Sequence, residues 1–151
     1  MNFRSLHTFA AAVTMLVGGT AAAQQMKLPV IPITIGFYTI QAEVATTEAQ
    51  REEGMMLRKW IGSNEGMLFD LGRPSLLECM WMKDTLLPLS VAFIDETGKI
   101  INIEDMQPQT EDQHCSNRSS HVRYALEAPL GWFAQKHIAP GALVEGLPNA
   151  K

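Results

Sequence analysis

The chain has 151 residues, a net charge of −4 and 46% hydrophobic residues, values of an ordinary folded domain rather than a disordered segment. The length suits one domain, and no basic run exists that would track a phosphate backbone, so nucleic acid is a poor partner and none is expected. Charged residues make up 19% of the chain, and the acidic balance favours solubility.

Residues 1–23 read as a secretory signal peptide. Arg4 gives a positive start, an apolar run follows from Phe9 to Val17, and Ala21-Ala22-Ala23 offers a small-residue cleavage site before Gln24. The run is shorter than the ~20 residues a spanning helix needs and ends in Gly18-Gly19. Cleavage after Ala23 is expected, leaving a periplasmic or secreted protein that does not span a membrane. Residues 24–32 are then a tether, and 33–151 a single globular domain.

Ile33, Ile35 and Phe37 alternate with polar or small residues, predicting a half-buried strand with Gly36 as a bulge or bend. The strand continues from Thr39 to Ala45, with Ile40, Ala42 and Val44 on one face. Thr47-Glu48-Ala49-Gln50 fits a helix capping box, and Gly54 ends that helix. Residues 62–65 are a turn, 66–70 a short apolar strand, and Gly72-Arg73-Pro74 a connection. Leu76 to Met82 reads as extended. Pro88 precedes a strand from Leu89 to Asp95, where a missing N–H is tolerated. Asp95-Glu96-Thr97-Gly98 makes a hairpin turn into a strand from Lys99 to Glu104. Residues 106–120 form a long polar loop, a length that often signals function. Val122, Tyr124 and Leu126 alternate with Arg123 and Glu127 in another strand. Pro129 opens a helix with Leu130, Phe133, Ala134 and Ile138 on one stripe, and Ala142 to Val144 is a last strand. The expected fold class is α+β and mainly β: a small curled antiparallel sheet or barrel of short strands with two short helices at its edge.

Chemistry concentrates between Cys79 and Thr85. An oxidising compartment and an even count favour a Cys79–Cys115 disulfide, against the alternative of two separate thiols. Alternation puts Met80 and Met82 on one strand face and Cys79 and Trp81 on the other. Thioethers select Cu(I), so Met80 and Met82 are an alternative metal pair, set against their use as core filler. Lys83 and Asp84 point to opposite faces of a regular strand, and line a cleft with Arg58, Trp81 or Glu127 only if the chain bends at Thr85. Trp81 and Trp132 are core or a stacking wall. No nucleophile-elbow, zincin, P-loop or dinucleotide motif occurs, so no catalytic residue is assigned and no cofactor is implied.

Several blocks occur in a fixed order: Gly54-Met55-Met56-Leu57-Arg58, Gly66-Met67-Leu68-Phe69, Trp81-Met82-Lys83-Asp84-Thr85-Leu86-Leu87-Pro88-Leu89, Phe93-Ile94-Asp95, Cys115, Tyr124-Ala125-Leu126-Glu127 and Gly131-Trp132. Across roughly Val44 to Gly146 the chain resembles the family called domain of unknown function 192. The resemblance implies a small β-rich α+β fold, often exported, with no catalytic set to carry over. The family pattern has leucine at position 55, asparagine at 84 and aspartate at 90, where this chain has Met55, Asp84 and Ser90. The reading that follows is a non-enzymatic binding module for a small ligand, envelope component or partner protein, with Arg58, Trp81, Lys83, Asp84 and Glu127 as its surface. The alternatives are a hydrolase on an envelope polymer and a periplasmic Cu(I)-binding protein.

Overall fold

A computed structural model describes residues 27–118 and 121–148. The expected signal segment 1–23, its cleavage site and the first tether residues lie outside the described residues.

The first two strands, β1 (Val30–Ile35) and β2 (Tyr38–Ala45), form a tight hairpin. Gly36 sits at its turn with φ 60°, a conformation that favours glycine. The expected bulge within one continuous strand is therefore a reversal, and Phe37 stands fully exposed at its tip instead of packing inward. Helix α1 (Glu48–Glu53) starts with the expected capping box, Thr47 accepting from the Gln50 N–H while the Gln50 side chain accepts from the Thr47 N–H at 3.0 Å. It ends at Gly54, again with positive φ.

Strand β3 (Glu65–Ser75) runs parallel to β2, the one departure from an antiparallel sheet. The connection through α1 is long enough for a crossover. β3 also continues through Gly72-Arg73-Pro74, because its pairing with the strand at Val122–Pro129 breaks register between Asp70 and Ser75, where Pro74 needs no ladder hydrogen bond. The expected extended run from Leu76 to Met82 shrinks to β4 (Cys79–Met80). The hairpin of β5 (Leu89–Asp95) and β6 (Ile100–Met106) forms as expected, its turn tied by Asp95 Oδ1 accepting from the N–H groups of Thr97 and Lys99. Within the long polar loop, β7 (His114–Cys115) pairs with β4 as a separate two-stranded sheet. β8 (Val122–Pro129) keeps Pro129 as its last residue. The second helix, α2 (Trp132–Gln135), is thus one turn rather than the longer helix expected from Pro129, and Ala134 on its predicted apolar stripe is exposed. β9 (Val144–Glu145) closes the chain order.

The large sheet has seven strands in the order β6-β5-β8-β3-β2-β1-β9. It curls until its two edges approach: Lys99 bridges Leu143, and the Val144 N–H donates to Gly98 O at 2.8 Å. Apolar residues from strands right across the sheet, including Ile35, Ile40, Leu68, Ile94 and Leu126, meet in one cluster inside the curl, with Trp132 and Phe133 of α2 plugging it. The opposite face carries a second cluster of Met67, Phe69, Val91, Phe93 and Ala125, roofed by Met55 and Met82. Central strand β8 is therefore covered on both faces, the arrangement that decides the site.

Candidate functional site

Glu127 occupies the middle of β8. Its direct cross-strand neighbours are Met67 on β3 and Val91 on β5, both fully buried. Alternation places it on the same face as Ala125, under the second cluster. The residue is only 4% exposed. No hydrogen bond reaches its carboxyl among the described residues, although Arg58 acts on it through charge. Loss of water from around the group dominates over the Arg58 attraction and raises its pKa from 4.5 to about 8. At neutral pH Glu127 is mostly a neutral acid.

The carboxyl lines a cavity of about 310 Å³. One wall is α1 and its exit, carrying Arg51 and Met55. The floor is β3 and β8, with Phe69, Leu71 and Glu127. The far wall is the β4 strand and the turn after it, with Glu78, Met80 and Trp81. Two loops hold that wall in place. The Leu57 N–H donates to Asp84 O at 2.9 Å, and both residues take positive φ to make this contact. The Met82 N–H donates to Thr110 O, and the Gln109 N–H to Thr85 O, each at 3.0 Å. Cys79 and Cys115, directly opposite each other in the β4–β7 pair, are bonded at an S–S distance of 2.08 Å. Asn102 on β6 secures the same loop by donating to Cys115 O and accepting from the Asn117 N–H, both at 3.0 Å.

Of the five residues singled out in the sequence, Trp81 and Glu127 come together on this cavity. Trp81 is half exposed, a wall rather than core, while Trp132 is buried. Arg58 does not line this cavity. Its guanidinium makes a bidentate pair with Glu43 at 2.6 and 2.7 Å, and it lines a second cavity with Leu57 and Trp60. Lys83 and Asp84 are exposed on the turn outside the first cavity, Lys83 Nζ lying 5.6 Å from the Trp81 ring centroid. They do not sit on a regular strand, because pairing ends at Met80. For the same reason Met80 and Met82 do not share a face: Met80 borders the cavity, and Met82 is fully buried in the second cluster. The sequence reading gave no site role to Phe69 or Glu78, which also line the cavity. Glu78, like Glu127, has its pKa raised by burial, with Arg51 opposing. A clue to Glu127 lay in Ala125, an apolar residue on the face that alternation assigns to solvent.

Ser90 forms a relay between β6 and the start of α2. Ser90 Oγ donates to Asp105 Oδ1 at 2.5 Å and accepts from the Gly131 N–H at 2.8 Å. The Asp105 carboxylate is thereby linked through Ser90 to the start of α2. Among the described residues no group of three or more His, Cys, Asp or Glu is placed to hold a metal ion, and no helix is long and apolar enough to cross a membrane.

Among curated proteins, none matches the chain. Similar solved structures include two from bacteria. One is a protein from Sinorhizobium meliloti 1021 described as a candidate transcription regulator, with 30% identity and a TM-score of 0.75 over 81% of this chain and 97% of that one. The other is a protein of unknown function from Novosphingobium aromaticivorans DSM 12444, with 27% identity and a TM-score of 0.74 over 89% of this chain and 99% of that one. The family model DUF192, described as "Uncharacterized ACR", matches residues 31–146. With most of its length covered by that match, the chain belongs to the DUF192 family.

Proposed function

We propose that this protein is a binding module for a small amphipathic ligand, exported to an oxidising compartment, and that its site is the cavity beneath α1. The observation that carries the reading is Glu127: a carboxyl that, among the described residues, has no hydrogen-bond partner and borders a cavity whose lining is part apolar and part acidic. The carboxyl oxygens face the cavity, where a ligand donor can reach them. Concave sites of about this size that combine apolar walls with convergent polar groups are a usual form of small-molecule sites, and here Met55, Phe69, Leu71 and Trp81 supply the apolar part. Trp81 supplies a flat apolar wall, and the Cys79–Cys115 bond fixes the loop that presents it. That bond also supports export, since disulfides persist outside the reducing cytoplasm.

The Sinorhizobium relative's description points toward transcription. The net charge of −4 and the acidic cavity rim give phosphate binding no support. Copper binding is also less well supported, since both thiols are bonded and Met82 is sealed in the core.

One experiment tests the reading. With the methionine methyls labelled with ¹³C, a library of small amphipathic compounds is screened by NMR. Binding moves the Met55 and Met80 signals, which border the cavity, and leaves Met106, outside it, in place. A library that moves neither cavity signal contradicts the reading.

A second reading, a hydrolase on an envelope polymer, draws on one observation: a carboxyl that keeps its proton at neutral pH is suited to general-acid catalysis. It requires turnover of an envelope glycan or peptide that disappears in Glu127→Gln. Absence of turnover in the wild-type protein removes it.

A further inference from the structure

The charges around the cavity say more about its occupant. Among the described residues Glu48, Glu52, Glu53, Glu78 and Glu127 line it against one cation, Arg51. Arg51 is already engaged, its Nη1 donating to Thr46 O at 2.6 Å and Asp70 O at 3.1 Å. Arg58, the other cation near Glu127, is matched by its bidentate pair with Glu43. An anionic ligand would enter against this excess of carboxyls. A bare metal ion would leave most of 310 Å³ unfilled and would find apolar carbon over much of the wall.

Resting on the small-ligand reading above, we infer that the occupant is a small organic cation, an alkylammonium with a compact apolar body, whose ammonium pairs with the Glu127 carboxylate while its body lies against Met55, Phe69 and Trp81. A lone acidic cluster would not suffice for this. The second observation is the buried Glu127 carboxyl itself, which has no hydrogen-bond partner among the described residues and borders the cavity. The ammonium supplies the charge-assisted hydrogen bonds that the fold withholds.

Binding carries a proton balance. In the empty site Glu127 holds its proton at neutral pH. When the ammonium arrives, the Glu127 O–H bond breaks, its electron pair stays on the carboxylate, and the proton leaves to solvent. The groups that face Glu127 or act on its surroundings are Arg58 from the α1 exit with Glu43 of β2, Glu53 and Arg51 of α1, and Glu78 before β4. Of these, burial raises the Glu78 pKa also, so it responds to the cation in the same direction.

Three probes with one branched carbon body separate the possibilities: 3-methylbutylamine, 3-methylbutan-1-ol and 3-methylbutanoate. Titrations read by the Met55 methyl signal and by calorimetry in two buffers of different ionisation enthalpy give affinity and proton release together. The amine is expected to bind at least tenfold tighter than the alcohol. At pH 7 it should release about 0.9 proton, as a carboxyl with a pKa of about 8 requires. Glu127→Gln should remove the tenfold preference of amine over alcohol. Nα-acetyl-lysine N-methylamide, run beside the amine, tells a free ammonium from a lysyl one; preference for either cation over the alcohol supports the assignment. Equal or tighter binding of the alcohol or carboxylate overturns it, as does amine affinity that Glu127→Gln does not change. If Glu127→Gln fails to fold, proton release by the wild-type protein decides alone, and zero release overturns the assignment. Where no probe moves the Met55 signal, the small-ligand reading falls with it; where the alcohol binds without amine preference, only the cation assignment falls.

Discussion

Replacing Glu127 with glutamine should change how stability depends on pH far more than it changes the fold. The carboxyl's folded pKa of about 8 lies above its unfolded value of 4.5, because water is excluded around it between Met67 and Val91. The stability this group contributes is complete below about pH 4.5 and is lost as pH rises through about 8. Each pH unit of that window is worth ~1.4 kcal/mol, so the wild-type protein loses about 4 kcal/mol from this source between pH 5 and pH 9. Glutamine has the same volume and cannot ionise. Urea unfolding of both proteins at pH 5, 7 and 9 isolates the effect, since every other titrating group cancels in the difference. The variant should be of similar stability at pH 5 and on the order of 4 kcal/mol more stable than wild type at pH 9. A difference that stays constant within about 1 kcal/mol across the range would mean that Glu127 is hydrated or ionised in the fold, and the reasoning about its burial would fail.

Other consequences are as specific. Removing the disulfide with Cys79→Ser and Cys115→Ser should lower stability by about 3–4 kcal/mol, for a bond spanning 36 residues, measured by urea unfolding of the described domain. Met82→Ala should cost ~2–5 kcal/mol because its side chain is fully buried, and the cost should be the same with or without Cu(I). Gly66→Ala should destabilise by about 3 kcal/mol or more, since its Cβ would press on the Glu127 carbonyl oxygen and sit 2.9 Å from Ile40 Cδ1; a melting temperature within a few degrees of wild type would refute this. Ser90→Ala should cost ~1–3 kcal/mol by leaving the Gly131 N–H without its acceptor, with Asp105→Asn milder.

The parts of this structure that were legible in the sequence are those written locally. The capping box at Thr47 and Gln50 and the Asp95–Gly98 turn each depend on residues within a few positions of one another, and both form as read. The mainly-β α+β class followed from many such short signals. What was not legible depends on partners far along the chain. Nothing near β3 states that it lies parallel to β2, because direction is set by the crossover through α1. Pro74 looked like a break, and the strand continues past it only because pairing with β8 is already irregular there. Pro129 suits the start of a helix, and here it closes a strand paired with Leu89.

The site shows the same division. Trp81 and Glu127 were recognisable as residues with chemistry, yet their convergence needs β4, β8 and α1 to be brought together by the whole sheet. Alternation along β8 assigned Arg123 and Glu127 to a solvated face. That inference assumes one face of the strand is open, and here the 76–88 and 106–118 segments cover it. Lys83 and Asp84 drew notice as an adjacent charged pair. The turn that begins after Met80 carries them outside the cavity, where Lys83 supports the Trp81 ring.

The most direct test of the account is the titration of a single carboxyl. With ¹³C at the glutamate side-chain carbonyl, NMR follows Glu127 from pH 4 to pH 10, assigned by its loss in Glu127→Gln. The account predicts a midpoint near 8 in the free protein, falling by more than one pH unit when 3-methylbutylamine saturates the site. A midpoint near 4.5 that the amine leaves in place would contradict it.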